Sequence, residues 1–314
     1  MEVRKPSRPL RSGDRIAVIR PGLSGDFPEW RTVLDRLEKM GLEVAFPGDG
    51  REGPTPSSGP YYADDSVRAR DIEAALRNPE YSAVMAFRGG SGAIRILDRW
   101  NGSFEFDGPV PVVCGFSDMT YLHALLARSR NLVTFWGPNA RELSDPDSFD
   151  LWWKVLSGGL KEGDLLPLGE TRVLRPGRAS GPLWGGNLES LAHLCGTPFL
   201  PDLSGRILLL EDVDEPLYAI DRALRTLYLT GILDRVAGIV LGPFSRVARR
   251  GDDPAETVFD LLAPLSGRVP VISSSLPGHT VPMATWPLNV PVGLVAPDAG
   301  PPSLRLLDSP FGRS

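Results

Sequence analysis

Pro111-Val112-Val113-Cys114-Gly115-Phe116-Ser117-Asp118, followed by the helix-like run Met119 to Leu126, is the stretch that decides the fold. A short apolar run closed by glycine reads as a buried strand, and the run after it reads as a helix. A strand passing straight into a helix is half of a βαβ unit. Upstream the same alternation repeats. Arg15 to Ile19 reads as a first strand, Trp30 to Met40 as an amphipathic helix closed by Gly41, and Leu42 to Phe46 as a second strand. Asp64 or Asp65 can cap a helix running to Arg77, stopped by Asn78-Pro79, before a third strand from Tyr81 to Phe87. Strands separated by helices predict an α/β fold with a parallel, Rossmann- or flavodoxin-like sheet and functional loops at its carboxyl ends. The Pro/Gly/Ser-rich loop Pro47 to Pro60 is long enough to be mobile or functional.

Downstream, composition shifts between Asp145 and Ser180, which reads as a crossover. Gly185-Gly186-Asn187 then opens a helix whose Leu188, Leu191, Leu194 and Cys195 line one face. Strands are expected at Ile207 to Leu210, Val236 to Leu241, Val269 to Ser273 and Val290 to Leu294, with a helix from Pro216 to Thr230. A chain of 314 residues exceeds the usual single core. The expected division is an N-terminal α/β domain (1–143), a crossover (144–180) and a smaller C-terminal α/β domain (181–314).

Bulk properties exclude several classes. A net charge of −5 without a basic block argues against nucleic acid. No stretch approaches the roughly 18 apolar residues of a membrane span, and Met1 to Arg15 lacks a signal-peptide core, so a cytoplasmic chain is expected. Cys114 and Cys195 read as packing residues rather than a disulfide. Two cysteines and three scattered histidines support no metal site. Without a Gly-x-Gly-x-x-Gly or Gly-Lys-Ser/Thr signature, no nucleotide cofactor is expected.

Three strand ends carry the chemistry. They deliver Ser117, Glu211 and His279, a nucleophile, an orienter and a base, as metal-free acyl cleavage requires. Each has a plainer alternative. Ser117 or Asp118 can be a helix cap, and Asp212, Asp214 and Glu215 compete with Glu211. His279 is the base candidate by elimination. His123 lies on the helix that Ser117 begins, and His193 sits between Leu191 and Leu194 as a packing residue would. Arg88-Gly89-Gly90-Ser91-Gly92 after the third strand either turns tightly or offers backbone N–H donors to a ligand.

Together these segments resemble the serine LD-carboxypeptidase family, which includes the microcin C immunity peptidases. The matching pieces are Gly13-Asp14-Arg15-Ile16, Arg88-Gly89-Gly90, Gly115 to Thr120, Gly137-Pro138, Gly185-Gly186-Asn187-Leu188, Leu210-Glu211-Asp212 and Gly278-His279, in family order. The resemblance implies two α/β domains with the active site between them, usually in a homodimer. It implies Ser117 as nucleophile, His279 as base, Glu211 as orienter, and the N–H groups of Asp118 and Gly90 as oxyanion donors. Arg88, Ser91 and Asn187 become candidates for substrate contacts. Two departures bear on the substrate. Ser91 stands where the family commonly has Tyr, and Arg20-Pro21-Gly22 replaces Ala-Pro-Ser.

The expected activity is cofactor-independent cleavage of a small peptide, with murein tetrapeptide as the family-typical substrate. An immunity amidase acting on a peptidyl-nucleotide or other toxic acyl-amide is the alternative within hydrolases. A silent protein that sequesters a small ligand and a biosynthetic acyltransferase are the other classes to distinguish.

Overall fold

The structure is a computed structural model describing residues 2–23, 25, 27–48, 60–100, 109–246 and 254–312. Of the long loop from Pro47 to Pro60, residues 49–59 lie outside these. Among the described residues the strands form two sheets.

The first sheet holds β1 (Arg15–Ile19), β2 (Glu43–Ala45), β3 (Tyr81–Ala86), β4 (Val112–Gly115) and β5 (Thr134–Trp136), all parallel, in the order β5-β4-β3-β1-β2. Reversed, this is the flavodoxin order 2-1-3-4-5. β1, β3 and β4 are almost wholly buried, as apolar strands covered on both faces must be. The helices α1 (Trp30–Lys39), α2 (Asp65–Arg77) and α3 (Thr120–Arg130) alternate with these strands. α3 is buried at every position from Thr120 to Ala127 and packs on both its own sheet and elements of the second. Next come α4 (Pro146–Lys154) and β6 (Thr171–Arg175).

The second sheet contains β6, β7 (Gly177–Asn187), β8 (Ile207–Val213), β9 (Gly238–Ser245) and β10 (Val271–Ser274). α5 (Leu188–Leu194), α6 (Leu217–Leu229) and α7 (Pro254–Leu262) are interspersed. β7 to β10 run parallel, with β6 added antiparallel on β10. β12 (Pro291–Ala296) and β13 (Ser303–Leu306) extend the other edge, antiparallel. β6 and the first four residues of β7 thus lie inside the segment read from composition as a crossover. β11 (Trp286–Leu288) leaves this half altogether and pairs antiparallel with β5, closing the edge of the first sheet. The parallel strands of each sheet present their carboxyl ends to the same space, where α/β proteins bind ligands.

Candidate active site

Ser117 follows β4 at a sharp turn. Its φ is +63°, the left-handed region that a residue with a side chain rarely occupies, and a short 3₁₀ turn (Ser117–Met119) leads into α3. Buried partners hold this conformation. Asn139 is fully buried and its Oδ1 accepts the Phe116 N–H at 3.1 Å. Thr120 Oγ1 donates to the Ser117 carbonyl at 2.7 Å. The glycine loop after β3 lies against the serine. A Cβ on Gly89 would stand 3.2 Å from Ser117 Oγ and 3.1 Å from its Cβ, so a side chain there would press on the hydroxyl.

Asp118 does more than follow Ser117. Its carboxylate is buried and accepts the Ala93 N–H at 2.8 Å, tying the turn to the glycine loop. Burial pushes its pKa up to about 7, against the pull of the Ala93 and Gly92 N–H groups and of Arg68. The Arg68 guanidinium is itself fully buried and donates to the carbonyls of Pro21 and Gly92, which joins the loops after β1 and β3. Among the described residues the Gly90 N–H donates to no backbone carbonyl, and Gly90 lines the cavity beside Ser117.

The second sheet supplies the charges. Glu211 lies in β8, a strand buried from Ile207 to Asp212, and is fully buried. A carboxylate there must be paired. Its Oε2 accepts from His279 Nδ1 at 2.6 Å and from the His279 N–H at 3.3 Å. Burial acts to lower the His279 pKa, but the Glu211 charge and hydrogen bond outweigh it, with Glu142 and Asp212 adding, and raise it above the ordinary value. The imidazole packs on Phe116, 4.7 Å between ring centroids, beside Ser117. Among the described residues no hydrogen bond joins Ser117 to His279, so the pair Glu211–His279 is formed and the link to the hydroxyl is open.

Asn187, opposite Glu211 in the β7–β8 register, caps α5 by accepting the Ser190 N–H. Its Nδ2 donates to Asp212 Oδ1 at 2.8 Å and, more weakly, to Glu211 Oε1 at 3.4 Å. Burial, then the neighbouring Glu211 charge, push the Asp212 pKa up to about 7. The Asp212 carboxyl oxygens are taken up by Asn187 Nδ2, by the Glu189 N–H at the start of α5 and by the Asp212–Val213 turn, while Glu211 holds the imidazole. Asp214 takes a left-handed conformation beside Arg246, away from the imidazole.

A cavity of about 460 Å³ opens between the sheets, lined by Gly90, Ser91, Ser117, Asp118 and Asn187. Glu189, Asp212 and Glu215 give its far wall three carboxyl groups. Arg88 is absent from this lining and lies against Gly25. His193 departs from the packing role expected of it. It is exposed, lines the cavity and meets Tyr121 Oη at 3.2 Å. His123, on the helix that Ser117 begins, turns its ring back, and Nε2 donates to the Gly115 carbonyl at 2.9 Å. Full burial lowers its pKa to about 4, so it is neutral there. Among the described residues no group of three or more His, Cys, Asp or Glu side chains is placed to hold a metal ion. No helix among them is long and apolar enough to cross a membrane.

Asn139, Thr120, Arg68 and Glu142 were not singled out by sequence reasoning. Only the Gly137-Pro138 segment pointed near Asn139, and Thr120 closed a matched segment without a role of its own.

Comparison with known proteins extends over both halves. The LD-carboxypeptidase N-terminal domain family matches residues 16–137, and the LD-carboxypeptidase C-terminal domain family matches residues 180–294. A probable murein peptide carboxypeptidase of Bacillus subtilis is 32% identical over 293 residues, covering 89% of this chain and 88% of that one. The crystal structure of muramoyltetrapeptide carboxypeptidase from Oxalobacter formigenes superposes with a TM-score of 0.78 at 30% identity, covering 95% and 100% of the two chains. The microcin C7 self-immunity protein MccF of Escherichia coli is 26% identical over 328 residues, covering 91% of this chain and 92% of that one.

Proposed function

Because this chain belongs to the LD-carboxypeptidase family of peptidases, we propose that it is a serine L,D-carboxypeptidase that releases the terminal D-residue from a murein tetrapeptide. The observation that carries this reading is the buried Glu211 carboxylate 2.6 Å from His279 Nδ1, beside a serine in a left-handed turn. Glu211 fixes the tautomer that leaves Nε2 unprotonated, as a general base requires. His279 takes the proton of Ser117, and Oγ attacks the amide carbonyl. The N–H groups of Gly90 and Asp118 hold the oxyanion, a contribution of about 3 kcal/mol. His279 then protonates the leaving amine, and water releases the acyl group by the same route.

A second reading has one observation in its favour. Ser91, on the cavity wall, is smaller than the Tyr common in the family, which suits an immunity amidase with a bulkier peptidyl-nucleotide. The carboxyl groups of Glu189, Asp212 and Glu215 weigh against it, since a phosphate beside them is repelled. They suit an ammonium group on a peptide. A homodimer working in the cytoplasm belongs to the same proposal and rests on the family resemblance.

The test is mass detection of D-alanine released from murein L,D-tetrapeptide by the purified protein and by Ser117→Ala. Release that vanishes in the variant supports the carboxypeptidase reading. No release from folded protein whose Ser117 reacts with a fluorophosphonate overturns the substrate and keeps the serine chemistry.

A further inference from the structure

The backbone of Ser117 is gripped on both sides by fully buried side chains, and the two grips differ in kind. Asn139, which holds the Phe116 N–H, follows β5 in the nucleophile's own sheet. Thr120 donates its hydroxyl proton to the Ser117 carbonyl at 2.7 Å and accepts the Asn187 N–H at 3.2 Å, from the end of β7 in the other sheet. A hydroxyl has one proton to give and lone pairs to receive with, so these two bonds use Thr120 Oγ1 in one defined direction.

The chain of bonds continues. Asn187 Nδ2 reaches Asp212 at 2.8 Å and Glu211 Oε1 at 3.4 Å, and Glu211 Oε2 holds His279. A hydrogen-bonded path therefore runs beneath the cavity from the nucleophile's carbonyl to the base. Its members are buried, with Thr120 and Glu211 fully so and Asn187 at 7% exposure, where such bonds are strongest and costliest to break. The close approach is built in at Gly186, where a Cβ would stand 2.8 Å from Thr120 Oγ1 and 2.6 Å from the Trp136 ring.

We propose that Thr120 is a positioning residue that couples the backbone of Ser117 to the Glu211–His279 pair across the two sheets, so that alignment of hydroxyl and imidazole depends on this one side chain. The inference rests on the reading of Ser117 as nucleophile. Thr120 touches no reacting atom; it acts through the Ser117 carbonyl and the Asn187 N–H.

Thr120→Val keeps the shape and removes the hydroxyl, whereas Thr120→Ser keeps the hydroxyl. The experiment measures the rate of fluorophosphonate labelling of Ser117, kcat and KM on murein tetrapeptide, and the melting temperature of each protein. Thr120→Val is expected to slow labelling about 10- to 100-fold and to lower kcat in proportion, with KM within about two-fold. Thr120→Ser is expected to restore labelling to within about three-fold of the parent. Should the valine variant melt below the assay temperature, Thr120→Ala takes its place with the same reading. Labelling of a folded hydroxyl-less variant at the parent rate overturns the inference, as does a folded Thr120→Ser as slow as Thr120→Val. Labelling that does not depend on Ser117 overturns the serine reading and this inference with it.

Discussion

The two sheets contribute to the site by different physics. At the end of β4 the first sheet supplies a serine whose position is set by backbone shape: a left-handed residue, a glycine loop without side chains against it, and buried acceptors around it. At the end of β8 the second sheet supplies charge: a fully buried carboxylate, an imidazole whose pKa it raises, and a second carboxyl held near pH 7. The difference teaches that the setting of the Ser117 hydroxyl is sensitive to volume and that of the His279 imidazole to proton count. A methyl group breaks one, and replacing an oxygen with an amide nitrogen breaks the other.

The sharpest way to break the comparison is at the serine. Ser117→Ala is expected to lower kcat roughly 10⁴- to 10⁶-fold with an unchanged melting temperature. Retained turnover would remove the first sheet from the chemistry. Glu211→Gln comes next, an isosteric change expected to cost about 10³- to 10⁴-fold in kcat because the amide no longer fixes the imidazole tautomer. Its pH profile is the finer readout. His279 must be neutral to act as base, and its raised pKa places the acid limb of kcat/KM above the ordinary histidine value of about 6.5. Loss of the Glu211 charge moves that limb to lower pH, and a limb that stays put means another group titrates there.

Gly89→Ala tests volume directly. A methyl 3.2 Å from Ser117 Oγ is expected to lower kcat/KM about 10²-fold without changing the position of the acid limb. A shifted limb would show that the two halves are not separable in this way. The smallest effect is expected at the cavity wall. Glu215→Gln should improve binding of a phosphate-bearing conjugate about three-fold, measured by calorimetry, because a half-exposed charge is well screened.

Much of this was legible because strand ends announce themselves. The apolar runs before Ser117 and Glu211 place both residues toward the carboxyl ends of parallel strands, and Asn187 caps a helix as its position after Gly185-Gly186 suggests. The family match across both halves agrees with the resemblance read from short segments. What escaped was long-range. β6 carries charged residues along an antiparallel strand, so no apolar run marks it. β11 is three residues long and contains Pro287, which a sheet tolerates at an edge. His193 has leucines on both sides in sequence, but at helical spacing those neighbours point to another face. The grips of Asn139 and Thr120 depend on approaches between distant segments that no local pattern encodes.

β11 has a practical consequence for anyone cutting this gene. Its three residues come from beyond His279 yet complete the sheet that carries Ser117, so the halves are stitched rather than strung together. A fragment ending near residue 143 would leave the edge of β5 without its partner. Such an open edge, rich in Phe135 and Trp136, is a template for strands of neighbouring copies, so that fragment is one to expect in inclusion bodies.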